Sequence, residues 1–289
     1  YVGSDGQHYY SPVPTNFLAY NSDGTTDKRS GSGGSAYRHY MLTDSDGVTH
    51  SVYCVESGIP YNTSENTYTS ENGTNSDYLN MLPSAARRGI TLTAIYGWKP
   101  GASLPVSGIN EDDYKMATQI ILWEYQQQLR SDPYNRHGNG HADGDQYFSV
   151  IAGRPAEKAY DWILAQVASH STVPSFTSSK KSEAPELELK WDVEKKVYTL
   201  TVTDTNNLKI DLEALKGSGV SVTRNGNEYT FTSRQMMMDP VLFEFRKNIP
   251  VANDMLIWGR PGYQTMMTGA SDPVSFFMNL SLIHISEPT

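Results

Sequence analysis

The sequence predicts an α+β protein: a β-rich head with a small helical subdomain, followed by an all-β, Ig-like sandwich. Three observations support this fold class. Alternating apolar and polar residues, typical of strands, occur near both ends of the chain. Helical patterns lie between them, and a Ser-, Thr-, Lys- and Pro-rich stretch precedes the last strands. We therefore expect a head at 1–170, a linker at 171–185 and a sandwich at 186–280.

The clearest strands of the head form a predicted hairpin. The segment AYRHYML is followed by the turn TDSDG and then by VTHSVYCV. In the second strand Val48, Val52 and Cys54 share one face, so Cys54 is expected to point inward. The polar residues 61–78 predict a long surface loop.

Three helices are predicted after this loop. The segment PSAARRG predicts a short helix that Gly89 ends. Asn110, followed by three acidic residues, is a good N-terminal cap for the run YKMATQIILWEYQQQLR, since carboxylates favour a helix N-terminus. A third helix begins at Pro155 and carries its apolar residues on one stripe.

The residues after the predicted linker contain only strand signals. The short segments ELELKWD, KVYTLTVTD, GVSVTRNGNEYTFTS, PVLFEFR and DMLIWG alternate with turn residues. RNGN is a hairpin turn. This pattern favours a β-sandwich of about 100 residues.

Composition and charge exclude some classes of function. Charged residues make up only 19% of the 289, and the net charge is −9 with a pI near 5.2. No basic field is available to attract phosphate, so we expect no nucleic-acid partner. No stretch approaches the 18 or so apolar residues that a bilayer span requires.

The sequence also supports one prediction about each end of the chain. The chain begins at Tyr1, without an initiator Met or a signal peptide, which predicts a mature product or a fragment. The final residues SLIHISEPT depart from the preceding pattern. We expect residues 281–289 to be a non-native tail and leave them out of the predicted sandwich.

The chain has one cysteine, Cys54, which cannot form an intramolecular disulfide. It is either a small buried hydrophobe or a reactive group. Downstream, Gln119 shares a helix face with Leu122 and Trp123, where a buried unpaired amide costs roughly 1–3 kcal/mol. If the Cys54 thiolate attacked the Gln119 carbonyl and expelled ammonia, a thioester would replace that amide. The residues alone leave both interpretations of Cys54 open.

A YCV element upstream and a TQxxxW helix downstream resemble the internal Cys–Gln thioester domain of Gram-positive surface adhesins. The matching features are Tyr53–Cys54–Val55 and Thr118–Gln119 through Trp123. The chain has Ile121 where the family pattern usually has Ala. The resemblance covers residues 1 to about 170. The sandwich also resembles the domain that often follows such heads, through TDTNN, NGNEYTFTS and GYQTMMTGASDPVSFF.

The resemblance implies a covalent adhesin that acts once and is not an enzyme. The Gln119 carbonyl carbon would be the electrophile and Cys54 the leaving group, with Tyr53, Thr118 and Trp123 as supporting residues. The partner would be an amine or hydroxyl on a host surface protein or glycan. The resemblance further implies a secreted protein anchored in the cell wall, without cofactor or metal.

Weaker hypotheses remain beside this one. A non-covalent glycan- or protein-binding module would leave Cys54 structural. A cysteine hydrolase would pair Cys54 with His50, His137 or His141, although no local signature of a known hydrolase surrounds it. The segment HGNGHADGD, which ends at Asp145, is predicted to be a solvated loop rather than a metal site.

A cross-link in the second domain is a further hypothesis. Lys190 lies in the first predicted strand of the sandwich, Glu244 in a middle strand and Asn279 in the last. Surface proteins of this kind often carry a Lys–Asn isopeptide bond assisted by a buried acid, and the order of the three residues fits. Lys190 could equally face solvent.

Overall fold

A computed structural model describes most of the chain. The described residues are 4–15, 17–29, 37–61, 68–130, 133, 145–211, 213–237, 239–250 and 254–283. The chain divides into two compact units. The first contains residues 1–169 and 250–272, and the second contains residues 170–249 and 273–289.

Fifteen strands lie within the described ranges. In chain order they are β1 (Tyr9–Pro12), β2 (Phe17–Tyr20), β3 (Thr26–Arg29), β4 (Tyr37–Arg38), β5 (Tyr40–Thr43), β6 (Thr49–Cys54), β7 (Tyr68–Asn72), β8 (Glu186–Asp192), β9 (Val197–Thr203), β10 (Val220–Asn225), β11 (Glu228–Ser233), β12 (Val241–Arg246), β13 (Leu256–Gly259), β14 (Met266–Thr268) and β15 (Ser275–Ile283). The described helices are α1 (Asp77–Met81), α2 (Ser84–Tyr96), α3 (Glu111–Gln126), α4 (Asp145–Phe148) and α5 (Pro155–Ser169). The predicted α+β class, rich in strands with a small helical part, is confirmed.

A closed six-stranded barrel forms the β-part of the first unit. Its hydrogen-bonded order is β1-β5-β6-β14-β13-β7, and all neighbours are antiparallel. The predicted hairpin is its β5–β6 pair, in register Tyr40↔Val52. Val52 and Cys54 are buried, as their shared face predicts, whereas Val48 is exposed. A small sheet in the order β3-β2-β4 belongs to the same unit.

Helix α3 is the central helix of the subdomain and packs on α2, α5 and strand β6. Its predicted cap is present: the Asn110 side chain accepts the Asp113 N–H, and the Asp113 side chain accepts the Asn110 N–H. The helix ends before Gln128, whose φ of 58° lies in the left-handed region. Helix α5 begins at Pro155, as the sequence predicts.

Two predictions about this region were wrong. Helix α2 continues through Gly89 to Tyr96, because the glycine lets the Tyr125 ring pack against the helix. A Cβ added there would lie 2.2 Å from that ring. The predicted loop 61–78 contains strand β7 and the start of helix α1, while residues 62–67 lie outside the described part of the chain.

The second unit is built on one hydrogen-bonded sheet in the order β10-β11-β9-β8-β15-β12. Its neighbours are antiparallel except β15 and β8, which run parallel. Alternating aromatic and aliphatic residues on these strands form a single core that includes Phe231, Phe245 and Phe276. The sequence predicted an Ig-like sandwich here, whereas the described strands of this unit form one hydrogen-bonded sheet.

The predicted domain boundaries differ from the two units. DMLIWG and GYQTMMTGA, assigned to the sandwich by the sequence, supply β13 and β14 of the barrel. Met266 pairs with Cys54, and Leu256 pairs with Asn72. Strands β6 and β7 do not pair directly, so the barrel closes only through this segment.

The predicted linker and the predicted tail also differ from the structure. Within 171–185, Phe176 is buried in the second core and Ser178 pairs with Phe277. Strand β15 runs through residue 281 without a break, and Leu282 pairs with Leu189 of β8. Residues 281–283 thus continue strand β15, and residues 284–289 lie outside the described ranges. That residues 281–289 are a non-native tail stays a prediction.

Candidate functional site

Cys54 and Gln119 meet where strand β6 ends beside helix α3. The Gln119 Oε1 accepts the Cys54 N–H at 3.0 Å, and the Gln119 Nε2 donates to the Cys54 carbonyl oxygen at 2.7 Å. Cys54 is 0% exposed and Gln119 is 2% exposed. The structure therefore brings together two residues that are 65 positions apart in the sequence.

The burial of α3 explains why this glutamine needs its partner. The helix is buried on nearly all its faces from Asp113 to Tyr125. An amide placed there without hydrogen bonds would cost about 1–3 kcal/mol. The main chain of Cys54, at the end of a strand, supplies both a donor and an acceptor for that amide.

The Cys54 thiol is strongly perturbed by its surroundings. Burial raises its pKa to about 12, and the negative charge of Glu56 acts in the same direction. The indole N–H of Trp123 and the backbone N–H of Glu56 lower this pKa, because both favour the thiolate. Burial is the larger effect, so the resting thiol is protonated and inert.

Trp123 forms the aromatic wall beside the thiol. Its ring lies between Tyr37 and Tyr147, with centroid distances of 5.1 and 5.4 Å. Its N–H has no hydrogen-bond partner among the described residues, and its presence lowers the pKa of the Cys54 thiol. The sequence placed Trp123 near the site, and the structure places its ring between two tyrosines.

Thr118 and Tyr53 hold the connection between α2 and α3. The Thr118 hydroxyl donates to the Tyr114 carbonyl at 2.8 Å and accepts the Trp98 N–H at 2.9 Å. The Tyr53 hydroxyl donates to the Trp98 carbonyl at 2.7 Å. Both side chains therefore fix the residues around Trp98 and position α3 against β6.

The geometry suits acyl transfer within the chain. The Cys54 N–H, bonded to the Gln119 Oε1, polarises the side-chain carbonyl and would stabilise negative charge on that oxygen. The sulfur belongs to the same residue, three covalent bonds from this nitrogen. Attack of the sulfur on the Gln119 Cδ would thus take place in a site already arranged around the developing oxyanion.

The three residues of the isopeptide hypothesis are not brought together. Lys190 is exposed and lies opposite Ile283 and Thr199. Asn279 lies opposite Glu186, four positions from Lys190 along strand β8, or roughly 13 Å. Glu244 is exposed and accepts a hydrogen bond from Ser275. The described geometry therefore gives no support to this cross-link.

Of the histidines considered for a hydrolase or a metal site, only His50 lies within the described residues. The His50 Nε2 lies 3.0 Å from the Asp44 carboxylate, in the β5–β6 turn. His137 and His141 lie outside the described residues, and Asp145 begins helix α4 with an undescribed side chain. Within the described ranges, no three His, Cys, Asp or Glu residues are grouped to hold a metal ion.

The sequence analysis missed part of the site. The segment before β14 packs beside Cys54: the Val55 N–H donates to Thr265, and Gln264 and Thr265 approach residues 56–60. Glu56 therefore becomes a candidate residue. Its spacing of two from Cys54 was visible in the sequence, whereas no local signal pointed to Gln264.

Comparison with protein-family models gives a match for the part of the chain that contains strand β6 and helix α3. Residues 51–169 match the family model of the thioester domain. The predicted resemblance to surface adhesins with such a domain is confirmed. No curated protein sequence matches the chain.

Comparison with solved structures shows which known proteins have a similar structure. The chain is similar to the thioester domain of the Staphylococcus aureus TIE protein, with 15% identity and a TM-score of 0.52 over 96% of this chain and 97% of that one. It is also similar to the pilus-presented adhesin Cpa of Streptococcus pyogenes, with 12% identity and a TM-score of 0.43 over 98% and 70%. The first likeness shows the fold, and the second is too distant to support an argument.

Proposed function

We propose that the chain is a bacterial surface adhesin that attaches covalently to a host molecule through a Cys54–Gln119 thioester. The observation that carries the proposal is the pair of hydrogen bonds holding the Gln119 amide against Cys54 in a buried site. The thioester-domain match of residues 51–169 supports it.

Formation of the thioester replaces the C–N bond of the Gln119 amide by a C–S bond to Cys54. The Cys54 sulfur attacks the Gln119 Cδ, the C–N bond breaks, and the thiol proton leaves with the amide nitrogen as ammonia. The Cys54 N–H receives the oxyanion, and the Trp123 N–H favours the thiolate that attacks. Exclusion of water then protects the product, because both residues are buried.

Capture of a host molecule uses the same electrophile, the Cδ carbon of Gln119. An amine or hydroxyl of a host surface protein or glycan attacks the Gln119 Cδ, the C–S bond breaks, and Cys54 leaves as a thiol. The product is an amide or an ester joining the two molecules. Because the expelled ammonia is not restored, each chain reacts once, which makes the protein a binding module and not an enzyme.

Such a role requires display at the bacterial surface, with attachment to the cell wall. The net charge of −9 fits a partner other than nucleic acid. Among the described residues, no helix combines the length and apolarity needed to cross a membrane.

Methylamine capture tests the proposal. We expect one methylamine per parent chain by intact mass, and none on Cys54→Ala or Gln119→Ala, since each variant lacks one atom of the bond. Gln126→Ala is the matched control: this second glutamine of α3 bonds to the Ser57 N–H and should leave capture intact. Adduct on either site variant would contradict the assignment of that residue.

The two alternatives predict other outcomes. A non-covalent glycan- or protein-binding module would retain a protonated Cys54 and an unmodified mass after methylamine. A cysteine hydrolase would turn over a model ester and lose that activity on Cys54→Ala. No described histidine affects the pKa of Cys54, and His137 and His141 lie outside the described residues.

A further inference from the structure

Glu56 is the carboxylate that acts on the buried thiol. It follows Cys54 by two residues, so their Cα atoms are at most about 7 Å apart. Its charge raises the pKa of Cys54, and its own side chain is partly open to solvent while Cys54 is fully buried. A group arriving from solvent can therefore meet this carboxylate without the fold opening.

The carboxylate is held in a fixed orientation. Its Oε2 accepts the Thr265 N–H at 2.9 Å and the Thr265 hydroxyl at 2.7 Å. Thr265 in turn accepts the Val55 N–H, and the next residue, Met266, pairs with Cys54. Glu56 Oε1 takes part in no hydrogen bond or ion pair with the described protein, so it remains available to a ligand.

A second acceptor lies at the same end of the barrel. Gln264 is 8% exposed, and its Oε1 has no hydrogen-bond partner within the described chain. Its side chain lowers the pKa of Tyr40, and a thiolate charge on Cys54 would raise the same pKa. A buried amide oxygen without a partner costs free energy, which a bound N–H donor would offset.

Donors and acceptors are therefore arranged on different atoms of the site. The Trp123 and Glu56 N–H groups act on the sulfur, where negative charge appears when the C–S bond breaks. Glu56 Oε1 and Gln264 Oε1 have no hydrogen-bond partner among the described residues, and they belong to segments that follow or pair with Cys54 and Val55. Aminolysis of a thioester needs both: stabilisation of the departing thiolate and removal of a proton from the nitrogen.

We infer that Glu56 accepts the proton of the nucleophile during capture and that Gln264 orients the nucleophile. This inference rests on the proposed thioester. A primary ammonium group gives one proton to the Glu56 carboxylate, its nitrogen attacks the Gln119 Cδ, and the C–S bond breaks. The second nitrogen proton ends on the Cys54 sulfur, and Glu56 later releases its proton to water.

The tyrosines around the thiol cannot take this role. Burial raises the pKa of Tyr40, Tyr68 and Tyr78 well above the ordinary value, so all three hold their protons at neutral pH. A carboxylate is the remaining kind of base near the site, and it also attracts an ammonium group electrostatically.

The experiment compares two nucleophiles on purified Glu56→Gln. Glutamine keeps an oxygen that can accept from Thr265 but removes the base and its charge. Glu71→Gln is the control, since Glu71 is an exposed carboxylate of the same unit. After intact mass has established the thioester in each chain, aminolysis is followed with methylamine, which arrives protonated, and with hydroxylamine, which is uncharged at neutral pH.

We expect the methylamine rate of Glu56→Gln to fall about a hundredfold relative to Glu71→Gln, with little change for hydroxylamine. Equal slowing of both nucleophiles, or an unchanged methylamine rate, would overturn the inference. Loss of the thioester in Glu56→Gln would overturn it too, by assigning Glu56 to bond formation. If the parent chain itself lacks a thioester, it is the proposed function that fails.

Discussion

The residues of the site have separate roles in forming one acyl bond between Cys54 and Gln119. The Gln119 amide is fixed by the Cys54 main chain, and the N–H groups of Trp123 and Glu56 lower the pKa of the Cys54 thiol. Burial raises the thiol pKa to about 12, so the free cysteine is unreactive towards solutes at neutral pH. Reactivity with Gln119 then depends on contact and orientation.

Trp123→Ala should expose this bond. The change removes the ring between Tyr37 and Tyr147, so faster hydrolysis of the thioester or failure to form it is expected. Truncation of a buried Trp typically costs about 3–5 kcal/mol, so circular dichroism must first show a folded chain. Trp123→Phe keeps an aromatic ring at this position and removes the N–H together with part of the ring volume. A folded Trp123→Ala chain whose bond hydrolyses at the parent's rate would show that Trp123 is ordinary core.

The ionisation of Glu124 is expected to make the free energy of unfolding depend on pH. It is fully buried beside Arg130, and burial raises its pKa to about 7 against the opposing effects of Arg130 and Tyr160. The folded chain therefore retains a proton that the unfolded chain has lost between pH 4.5 and about 7. Glu124 stabilises the fold below pH 4.5, and this contribution is lost as the pH rises to about 7.

Glu124→Gln should flatten that dependence, because an amide does not titrate in this range. The free energy of unfolding, measured with urea at both ends of the range for parent and variant, checks this. The stability of the variant is expected to fall above about pH 7, where the ionised Glu124 is the charged partner of Arg130. An unchanged slope with pH would show that Glu124 is ionised throughout.

Part of this site was predictable from single residues. The alternation in β6 placed Cys54 on an inward face, and the helical spacing placed Gln119 beside Trp123. That the two side chains meet could not be derived from spacing, because the contact joins a strand to a distant helix. Gln264 was unpredictable for the same reason: it reaches the site only through the pairing of β14 with β6.

Helices and strands with strong local signals were predicted best. The Asn110 capping box and Pro155 define where α3 and α5 begin. Gly89, by contrast, has a local preference for ending a helix, and the Tyr125 ring packed over it overrides that preference. Residues 61–78 were misjudged because the polar composition of β7 conceals a strand held by its neighbours in the barrel.

The packing of α2 on α3 yields a prediction about Gly89. Gly89→Ala places a methyl group against the Tyr125 ring, so a loss of about 1–3 kcal/mol is expected although alanine favours helices. Gly259→Ala is the control, because no atom lies within 4 Å of its added Cβ. Thermal unfolding of both variants measures the difference. Equal or higher stability of Gly89→Ala would show that Tyr125 moves aside freely.

On the scale of the whole molecule, the chain leaves the first unit, forms the second, and returns to complete the barrel. Strands β13 and β14 stand between β7 and β6 in the barrel although they follow most of the second unit in the sequence. Their composition and local pattern predicted that they belong to the sandwich, because the sequence of a short strand does not indicate which strands it pairs with. Only the pairing of β13 and β14 with strands distant in the sequence shows that they belong to the barrel and not to the second unit.

A fragment ending at residue 170 should therefore fail to form a thioester. Without β13 and β14, strands β6 and β7 each lose one of their two partners, the barrel stays open, and the segment that packs beside Cys54 is absent. A chain of residues 1–283 is the matched comparison, because it keeps every described strand of both units. Intact mass and circular dichroism report on the two chains. A folded, thioester-containing fragment 1–170 would contradict the dependence of the head on the returning segment.

The intact mass of the freshly purified parent chain, measured under denaturing conditions, tests the central claim most directly. We expect a mass below that of the sequence by one ammonia, with no thiol available for titration. Cys54→Ala and Gln119→Ala should show their full sequence masses. They should also be less stable, since a cross-link closing a 65-residue loop contributes roughly 4 kcal/mol by analogy with disulfides. A parent chain at its full sequence mass, with one titratable thiol, would contradict the thioester and leave Cys54 a buried structural residue.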